Sequence, residues 1–259
     1  MPINNNYDEA KIISAVATAV ENFYTNLINS LNSLKIQKVI SRKNPYLFRA
    51  KDMKSAPHII EVILSAFVSS SEETIFGNVF FEPIAKAAGQ GNMALAEGID
   101  VMIHRDNTVY AIAVKSGTSV FNSSSKKKQE QNFLAGKKLA DLNKAQYNPI
   151  IGYGYGKKRP SSKGLPKIYK ELAGQKFWEE LTGDENFYLK LIDYMKSEPE
   201  KYFKKFEDAY DKATNKLINE FTTQFCLPDG SINWKKIVEF NSGNPPQIKE
   251  SKSKKLKKT

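Results

Sequence analysis

Two adjacent segments bring an acidic and a basic side chain to where they can meet. Residues 99–105 and 108–116 are rich in β-branched amino acids and flank an Asp-Asn pair, which predicts two antiparallel strands joined by a tight turn. Counting outward from the turn pairs residue 100 with residue 113, and side chains alternate between faces along each strand. Asp100 and Lys115 then share one face and converge above the small side chain of Ala113.

The two faces of this hairpin have different characters. The face of Asp100 also carries His104, and the small residue at its centre is expected to leave room for a substrate. The opposite face should lie against the core, and it consists of Ile99, Val101, Ile103, Tyr110, Ile112 and Val114.

A carboxylate next to an ammonium group is suited to phosphodiester hydrolysis. The carboxylate can bind a divalent cation that polarises a phosphate and lowers the pKa of a bound water, while the lysine positions that water or neutralises developing charge. The alternative is an exposed cross-strand ion pair with no catalytic role. Flanking glycines, in EGID and KSG, and a lysine-rich segment directly downstream favour the catalytic interpretation.

The composition restricts the metals that this chemistry can use. One cysteine, Cys226, excludes an internal disulfide and any multi-cysteine metal site, and His58 and His104 are the only two histidines. A metal site would therefore use carboxylates, which favour magnesium, manganese or calcium. No apolar stretch is long enough to span a membrane and the N-terminus lacks the order of a secretory signal, so we expect a cytoplasmic protein.

The positive charge is localised. The net charge is +11. The positive charge is concentrated in residues 126–138, 157–170 and 249–259, and the rest of the chain is close to neutral. Such segments are typical of proteins that bind polyanions, because each phosphate contact by Lys or Arg releases a condensed counterion. A solubilising surface is the alternative explanation.

The remaining pattern is mainly helical. An apolar stripe at alternating steps of four and three predicts a helix over residues 8–39, which packs in the core or against a second copy. An extended connector is expected over residues 41–53, where a proline biases its preceding residue away from helical geometry. A second helix is predicted over residues 57–69 and a third from Ser70, with Glu73 at capping-box spacing and a kink or interruption at Pro83.

The third predicted helix is followed by a break at residues 89–92 and then by the hairpin. A helix over 126–143, a strand over 149–155 and helices from 167 to 240 complete the prediction. We expect one domain over residues 1–248 with a nuclease-like core at about 57–155, and a disordered basic tail over 249–259.

Several motifs of the sequence resemble those of a known family. GID, followed fifteen residues after its aspartate by a lysine on a strand, resembles the PD-(D/E)xK nuclease superfamily. The longer set NPYLFRAKD, SSSEETIFG, FE, EGID, AVKSG and FNSS is similar to one branch of the type II restriction endonucleases, as is the later GQKFWEELTGDENFY. The main resemblance covers residues 43–132, and as a set these motifs are specific.

The resemblance implies a fold and an activity. The expected fold is α/β (α+β), with a central mixed β-sheet flanked by helices and a large helical C-terminal part. The expected enzyme is a homodimer that uses Mg²⁺ to cleave double-stranded DNA at a short specific sequence, since a two-fold symmetric site is matched by a two-fold symmetric protein. A cognate DNA methyltransferase is expected as its functional partner.

The resemblance also assigns residues by position. Asp100 is the metal-binding aspartate, Lys115 is the motif lysine and Val114 is a further metal ligand. The second motif acid belongs two residues before the lysine, where this chain has Ala113. Either another carboxylate replaces it or the chain is inactive. The candidate replacements come from the helix before the sheet and are Glu82 and Glu73, with Glu97 less favoured.

Several polar residues are candidate DNA contacts. Lys126, Lys127 and Lys128 begin a predicted helix, where backbone N–H groups and ammonium groups can both meet phosphate; a solvated surface is the alternative. Further candidates near the hairpin or in a second basic cluster are Ser116, Asn122, Arg42, Lys43 and Arg49. The loop GYGYGKKR lacks the ending of a phosphate-binding P-loop and is interpreted as a strand end leading into an exposed or DNA-facing loop.

The sequence is also compatible with other functions. A structure-selective or repair nuclease on the same core would cleave according to DNA shape, and a catalytically inactive DNA-binding protein is favoured by Ala113. A purely structural role leaves the face of Asp100 and Lys115 unexplained.

Overall fold

A computed structural model describes residues 2–4, 6–93, 97–158 and 167–243. Ten helices and five strands are described in these ranges: α1 (Glu9–Asn32), α2 (Ile36–Ile40), α3 (Pro45–Ala50), α4 (Ala56–Val79), α5 (Phe81–Gly89), β1 (Asn92–Met93), β2 (Val101–Arg105), β3 (Thr108–Lys115), α6 (Ser123–Leu142), β4 (Gln146–Tyr153), β5 (Lys170–Ala173), α7 (Gln175–Thr182), α8 (Phe187–Met195), α9 (Glu200–Phe225) and α10 (Trp234–Ser242). The basic tail over 249–259 lies outside the described residues.

The strands form one mixed sheet in the order β1-β2-β3-β4-β5. Strands β1, β2 and β3 are antiparallel neighbours, whereas β3, β4 and β5 run parallel. The two parallel connections pass through helix α6 and through the segment before β5. A mixed sheet with flanking helices and a helical C-terminal part confirms the predicted fold class.

The predicted hairpin register is confirmed. Arg105 pairs with Thr108 and Val101 pairs with Ile112, as counting from the Asp-Asn turn requires. Asp106 adopts φ of 52°, the left-handed conformation that aspartate and asparagine tolerate in tight turns. The turn residues therefore set the register that brings residue 100 beside residue 113.

Both faces of the sheet are buried. On one face, side chains of β2 and β3 pack against α1, α5, α7 and α8 in a large apolar core that includes Val101, Ile112 and Trp178. On the other face, helix α6 contributes Phe133 to a smaller core with Ala113. The sheet is thus held between helices, and the ends of β2 and β3 lie at the site described below.

Helix α1 packs within the protein. Its predicted stripe is buried at Val16, Val20, Leu27 and Leu31, and Val16 and Val20 belong to the large core. The predicted helix over 8–39 was too long, because the chain breaks after Asn32 and resumes as α2.

The region before the sheet differs from the prediction. The second and third predicted helices are one continuous helix, α4, so Ser70 and Glu73 lie inside it and form no capping box. The interruption falls at Phe80, three residues before Pro83, which occupies the first turn of α5 where its missing N–H costs nothing. The predicted connector contains α3, because Asn44 is extended as expected but caps a helix that Pro45 begins.

The C-terminal half also contains a strand that the sequence pattern did not predict. Strand β5 pairs with β4 within the segment expected to be helical. Predicted breaks at Gly174 and Gly183 coincide with the N-cap and C-cap of α7, and Gly183 has the left-handed φ of 75° that favours glycine at a helix end.

The chain divides into two compact units, which are 1–32 with 66–210, and 33–65 with 211–259. The first holds the sheet. In the second, the Asn241 side chain donates to the carbonyl oxygens of Ile40 and Lys43 at 2.9 and 2.6 Å, and the Glu220 carboxylate accepts from the Ile36 N–H at 2.9 Å. These contacts join α2, the loop before α3, α9 and α10. Helices of the described ranges fall short of the length and apolar character that crossing a membrane requires.

Candidate active site

Asp100 and Lys115 contact each other at the end of the hairpin. The Lys115 Nζ donates to Asp100 Oδ2 at 3.0 Å, and the same carboxylate oxygen accepts the Val114 backbone N–H at 2.7 Å. Their side chains are 21% and 28% exposed for Asp100 and Lys115 respectively, so the pair is partly shielded but reachable from solvent. The structure thus brings together the two groups that the sequence spacing predicted to converge.

The backbone around Lys115 is fixed by the sheet. The Lys115 ammonium also donates to the Val114 carbonyl at 2.9 Å, which holds it beside the main chain. Gly154 N–H donates to the Lys115 carbonyl at 2.8 Å, and Tyr155 N–H donates to the Ser116 carbonyl at 3.0 Å. The parallel pairing of β3 and β4 therefore continues one residue past Lys115 and orients the entrance to the site.

Helix α6 positions the loop that carries Asp100. The Gln129 side chain is 5% exposed and donates to the Gly98 carbonyl at 2.6 Å. Gly98 has φ of 73°, and a Cβ there would lie 2.1 Å from the Asn132 amide nitrogen, so only glycine fits. The Asp100 N–H then bonds the Ile112 carbonyl at 2.9 Å, which fixes the aspartate against β3.

A cavity of about 550 Å³ opens in front of this pair. Helices α4 and α5 line it with Glu73 and Glu82, and the loop after β3 lines it with Ser116. The approach of α4 is close, because a Cβ on Gly77 would lie 3.1 Å from the Ser116 side chain. Three carboxylates and one ammonium group therefore face one cavity.

Glu82 stands in the first turn of α5, where its charge also favours the positive end of the helix. Burial raises the pKa of its carboxyl, and the negative charge of Asp100 raises it further, while Lys115 and Lys86 lower it. Two carboxylates that repel each other across a cavity are an arrangement that a bound cation stabilises.

The donor set fits a magnesium-sized ion. Asp100 and Glu82 offer carboxylate oxygens and Val114 offers its backbone carbonyl, and hard cations prefer such oxygen ligands. Within the part of the chain that the structure describes, no three Asp, Glu, His or Cys side chains group closely enough to hold a metal by themselves. Mg²⁺ commonly binds through one or two carboxylates and keeps several waters, so two carboxylates and a carbonyl suffice.

The structure corrects the expected surroundings of Ala113. Its side chain is fully buried and packs with Phe133, Ile151 and Tyr153 under helix α6, so it leaves no room for a substrate. Ile99 belongs to this smaller core and not to the large one with Val101. The error arose because an alternating pattern predicts one solvated face, whereas α6 covers that face.

The predicted DNA contacts near the hairpin have different environments. Ser116 lines the cavity, and Asn122 is the N-cap of α6, where its side chain accepts the Ser125 N–H at 2.8 Å in a capping box. Lys127 is exposed and has no ion-pair partner among the described residues. Lys126 and Lys128 are both paired.

The partners of Lys126 and Lys128 differ in their exposure to solvent. Lys128 contacts Glu97 at 3.2 Å on the surface, which places Glu97 with α6 and outside the cavity. Lys126 contacts Glu171 at 2.8 Å, and the Glu171 side chain is only 7% exposed.

The second basic cluster lies in the other compact unit. Lys43 and Arg42 follow α2, and Arg49 lies in α3, 4.0 Å from the exposed carboxylate of Asp52. These residues belong to the unit formed by 33–65 and 211–259, whereas the residues that line the cavity belong to the other unit.

Sequence reasoning missed Gln129, Tyr155 and Glu171. Gln129 sits among charged residues of α6, and only its four-residue spacing to the buried Phe133 would have indicated a buried face. Tyr155 is 53% exposed, as the predicted exposed loop requires, but its place in the lining of the cavity and its packing on Phe81 at a centroid distance of 6.0 Å were not predicted.

The fold and the site together indicate a class of protein. A mixed sheet that carries an aspartate and a strand lysine at one cavity is the arrangement of a nuclease core. Residues 10–203 match the family of the type II restriction endonuclease EcoO109I, and the chain belongs to that family. The protein is therefore a type II restriction endonuclease, an enzyme that acts on DNA. No curated protein matches the chain in a sequence search.

Proposed function

We propose that the enzyme hydrolyses phosphodiester bonds in double-stranded DNA at a short recognition sequence, uses Mg²⁺ and acts as a homodimer. The observation that supports this most directly is the contact between Lys115 and Asp100 beside Glu82 in one cavity. A bound divalent cation would be held by Asp100, Glu82 and the Val114 carbonyl, and it would supply charge neutralisation and a water of lowered pKa.

Lys115 has two tasks in this mechanism. Its ammonium group stands at the cavity wall, held by Asp100 Oδ2 and the Val114 carbonyl, so it is already oriented when DNA arrives. A phosphate oxygen entering the cavity can accept a hydrogen bond from it. As the attacking water adds to phosphorus, the ammonium stabilises the additional negative charge.

Glu82 takes the place of the motif acid that Ala113 lacks. Its carboxylate lines the cavity from α5 and is close enough to Asp100 for their charges to interact. Glu73, one helix earlier, lines the same cavity and is the alternative source of this acid.

The homodimer follows from the expected symmetry of the target. A palindromic site presents the same contacts twice, which two copies of one chain satisfy. A cytoplasmic location and a cognate methyltransferase that protects the host's own sites complete the proposal.

The test is cleavage of a long, sequence-diverse, unmethylated DNA with Mg²⁺, read on a gel. The comparison set is wild type, Lys115→Ala, wild type with EDTA, and Lys201→Ala, which removes an exposed lysine that pairs with Glu198. We expect discrete bands from wild type and Lys201→Ala, and none from Lys115→Ala or with EDTA.

Other results would select another function. A smear that depends on metal and Lys115 would support a structure-selective or non-specific nuclease. Intact DNA with retained binding would support a DNA-binding protein without catalysis, for which the specific observation is the buried Ala113 in place of the motif acid.

A further inference from the structure

Glu171 is a buried carboxylate that no step of cleavage uses. It lies in β5, its side chain is 7% exposed, and it does not line the cavity of Asp100 and Lys115. Its oxygen Oε1 accepts the Tyr153 hydroxyl at 3.1 Å and the Lys126 ammonium at 2.8 Å. Oε2 accepts the Lys167 ammonium at 2.5 Å.

A third lysine completes the group. Lys158 lies 3.5 Å from Oε1, so Glu171 contacts three ammonium groups. The lysines come from separate parts of the chain, namely the first turn of α6, the segment after β4 and the segment before β5. We call Lys126, Lys158 and Lys167 the lysine triad.

The triad keeps an excess of positive charge. Burial alone would raise the pKa of the Glu171 carboxyl, but hydrogen bonds from Lys126 and Lys167 and the charge of Lys158 lower it to about 2. The carboxylate is therefore ionised at neutral pH. One negative charge against three positive charges leaves two unbalanced positive charges in a small area.

Two tyrosine rings restrict the lysine side chains. Lys158 Nζ lies 5.3 Å from the centre of the Tyr153 ring, and Lys167 Nζ lies 5.8 Å from the centre of the Tyr169 ring. Cation–π contacts of this kind add to the ion pairs. Ammonium groups held in this way lose less conformational freedom when they bind a ligand than free surface lysines do.

The lysines nevertheless stay accessible. Lys126, Lys158 and Lys167 are 34%, 29% and 40% exposed, whereas the carboxylate beneath them is 7% exposed. A ligand from solvent therefore meets ammonium groups and not the carboxylate. In an isolated surface ion pair both partners would be exposed, as in the Lys128–Glu97 pair at 57% and 77%.

The carboxylate that the triad contacts lies on the same sheet as the hairpin of β2 and β3. Glu171 pairs with Ile151, which pairs with Ala113, so the carboxylate is two strands away from β3 in register. Lys126 lies in the first turn of α6, the helix that follows the loop lining the cavity. A polymer with a negative charge at every repeat can thus contact the cavity and the triad together.

We infer that the lysine triad binds backbone phosphates of the DNA substrate and that Glu171 is the positioning residue that holds the three ammonium groups together. This inference rests on the proposed cleavage of double-stranded DNA, and it adds Lys158, Lys167 and Glu171 to the residues that contact or organise the substrate.

The test measures affinity for a fluorescent double-stranded DNA of random sequence in EDTA, over a series of KCl concentrations. The variants are Lys126→Ala, Lys158→Ala and Lys167→Ala. Each is expected to bind several-fold more weakly than wild type and to lower the salt slope by about one, because one phosphate contact is lost.

The matched control is Lys170→Ala. Lys170 is the neighbour of Glu171 in β5, but it contacts Glu180 at 3.2 Å instead and is 54% exposed. Its replacement removes the same charge, from the strand that carries Glu171. We expect an unchanged salt slope, and equal effects from Lys170→Ala and the triad variants would overturn the inference.

Glu171→Gln tests the positioning role by the sign of its effect. This variant removes a negative charge, so a simple counter-ion role predicts tighter DNA binding. Positioning predicts weaker binding, because three ammonium groups without a shared anion repel each other and separate. Tighter binding by a folded Glu171→Gln protein would overturn the role of Glu171, and the three alanine variants test the triad even where Glu171→Gln fails to fold.

The measurement in EDTA separates this inference from the proposed function. Metal-free binding requires neither a bound cation nor any catalytic step. At saturating DNA, cleavage by Lys158→Ala should proceed at the wild-type rate while its KM rises. A lowered maximal rate with unchanged binding would place Lys158 in catalysis and contradict the inference.

Discussion

Glu82 is the residue on which the proposed catalytic site depends most. We expect Glu82→Gln to lower DNA cleavage at least about 100-fold at fixed Mg²⁺, because the amide keeps the shape but loses the negative charge that would hold the cation. The measurement is the initial cleavage rate over a Mg²⁺ series. Glu72→Gln, on the same helix as Glu73 but outside the cavity, is the control and should retain activity. Loss in Glu73→Gln but not in Glu82→Gln would assign the acid to Glu73.

The same substitution should have an opposite effect on stability. Because burial and Asp100 raise the pKa of Glu82 above 4.5, ionisation of this carboxyl opposes folding, and the wild type loses stability as pH rises through the raised pKa. Glutamine does not ionise. In EDTA we expect Glu82→Gln to have a higher Tm than wild type at pH 8 and an equal Tm below pH 4.5, as measured by thermal unfolding.

A divalent cation should change the Tm of wild type and of Glu82→Gln by different amounts. Addition of Ca²⁺ or Mg²⁺ should raise the Tm of the wild type and raise that of Glu82→Gln much less. Equal increases in both proteins would show that Glu82 does not hold the cation.

The packing around the hairpin predicts that restoring an acid at the motif position, residue 113, destabilises the protein. Ala113→Glu is expected to lower the free energy of unfolding by about 1–3 kcal/mol through overpacking alone, since the site is filled by Phe133, Ile151 and Tyr153. A buried charge adds to this loss, so the destabilisation should grow as pH rises through the raised pKa of the new carboxyl. Ala113→Gln is the neutral control, and its effect should not vary with pH.

Helix α6 offers a test that separates its capping residue from a DNA contact. Asn122→Ala should cost about 0.5–2 kcal/mol of stability because the capping box is lost. Asn122→Asp keeps the cap, so its Tm should match the wild type. If Asn122 also contacts DNA, the aspartate should weaken binding by like-charge repulsion, and unchanged affinity would leave Asn122 with the capping role alone.

Some elements were predictable because their causes are local. The Asp-Asn turn and the alternation of β-branched residues fix the register of β2 and β3, and that register brings Asp100 to Lys115. Other features depend on distant parts of the chain. Strand β5 lies within a run of lysines and glutamates, and its pairing with β4 decides its conformation. Glu171 looks exposed in sequence, and its burial depends on the distant Lys126, Lys158 and Lys167 and on the Tyr153 hydroxyl.

At the scale of the whole molecule, the proposed homodimer makes a prediction of its own. When wild-type and Lys115→Ala chains are unfolded and refolded together, mixed dimers should contain one active and one inactive site. We expect these dimers to nick one strand of a supercoiled plasmid and to accumulate open circles before linear product. Linear product formed without an open-circle excess, together with a monomer mass in solution, would contradict the dimer.

The hairpin of β2 and β3 has a consequence for how the enzyme acquires its activity during synthesis. Asp100 and Lys115 are joined through a two-residue turn, so their contact closes a short loop, and hairpins of this kind form in about 1–10 μs. Strand β4 and the triad residues after it leave the ribosome later. We expect Asp100 and Lys115 to meet before the lysine triad is complete. A nascent chain would then be kept from cutting the genome by low affinity for DNA, although its proposed catalytic pair had already formed.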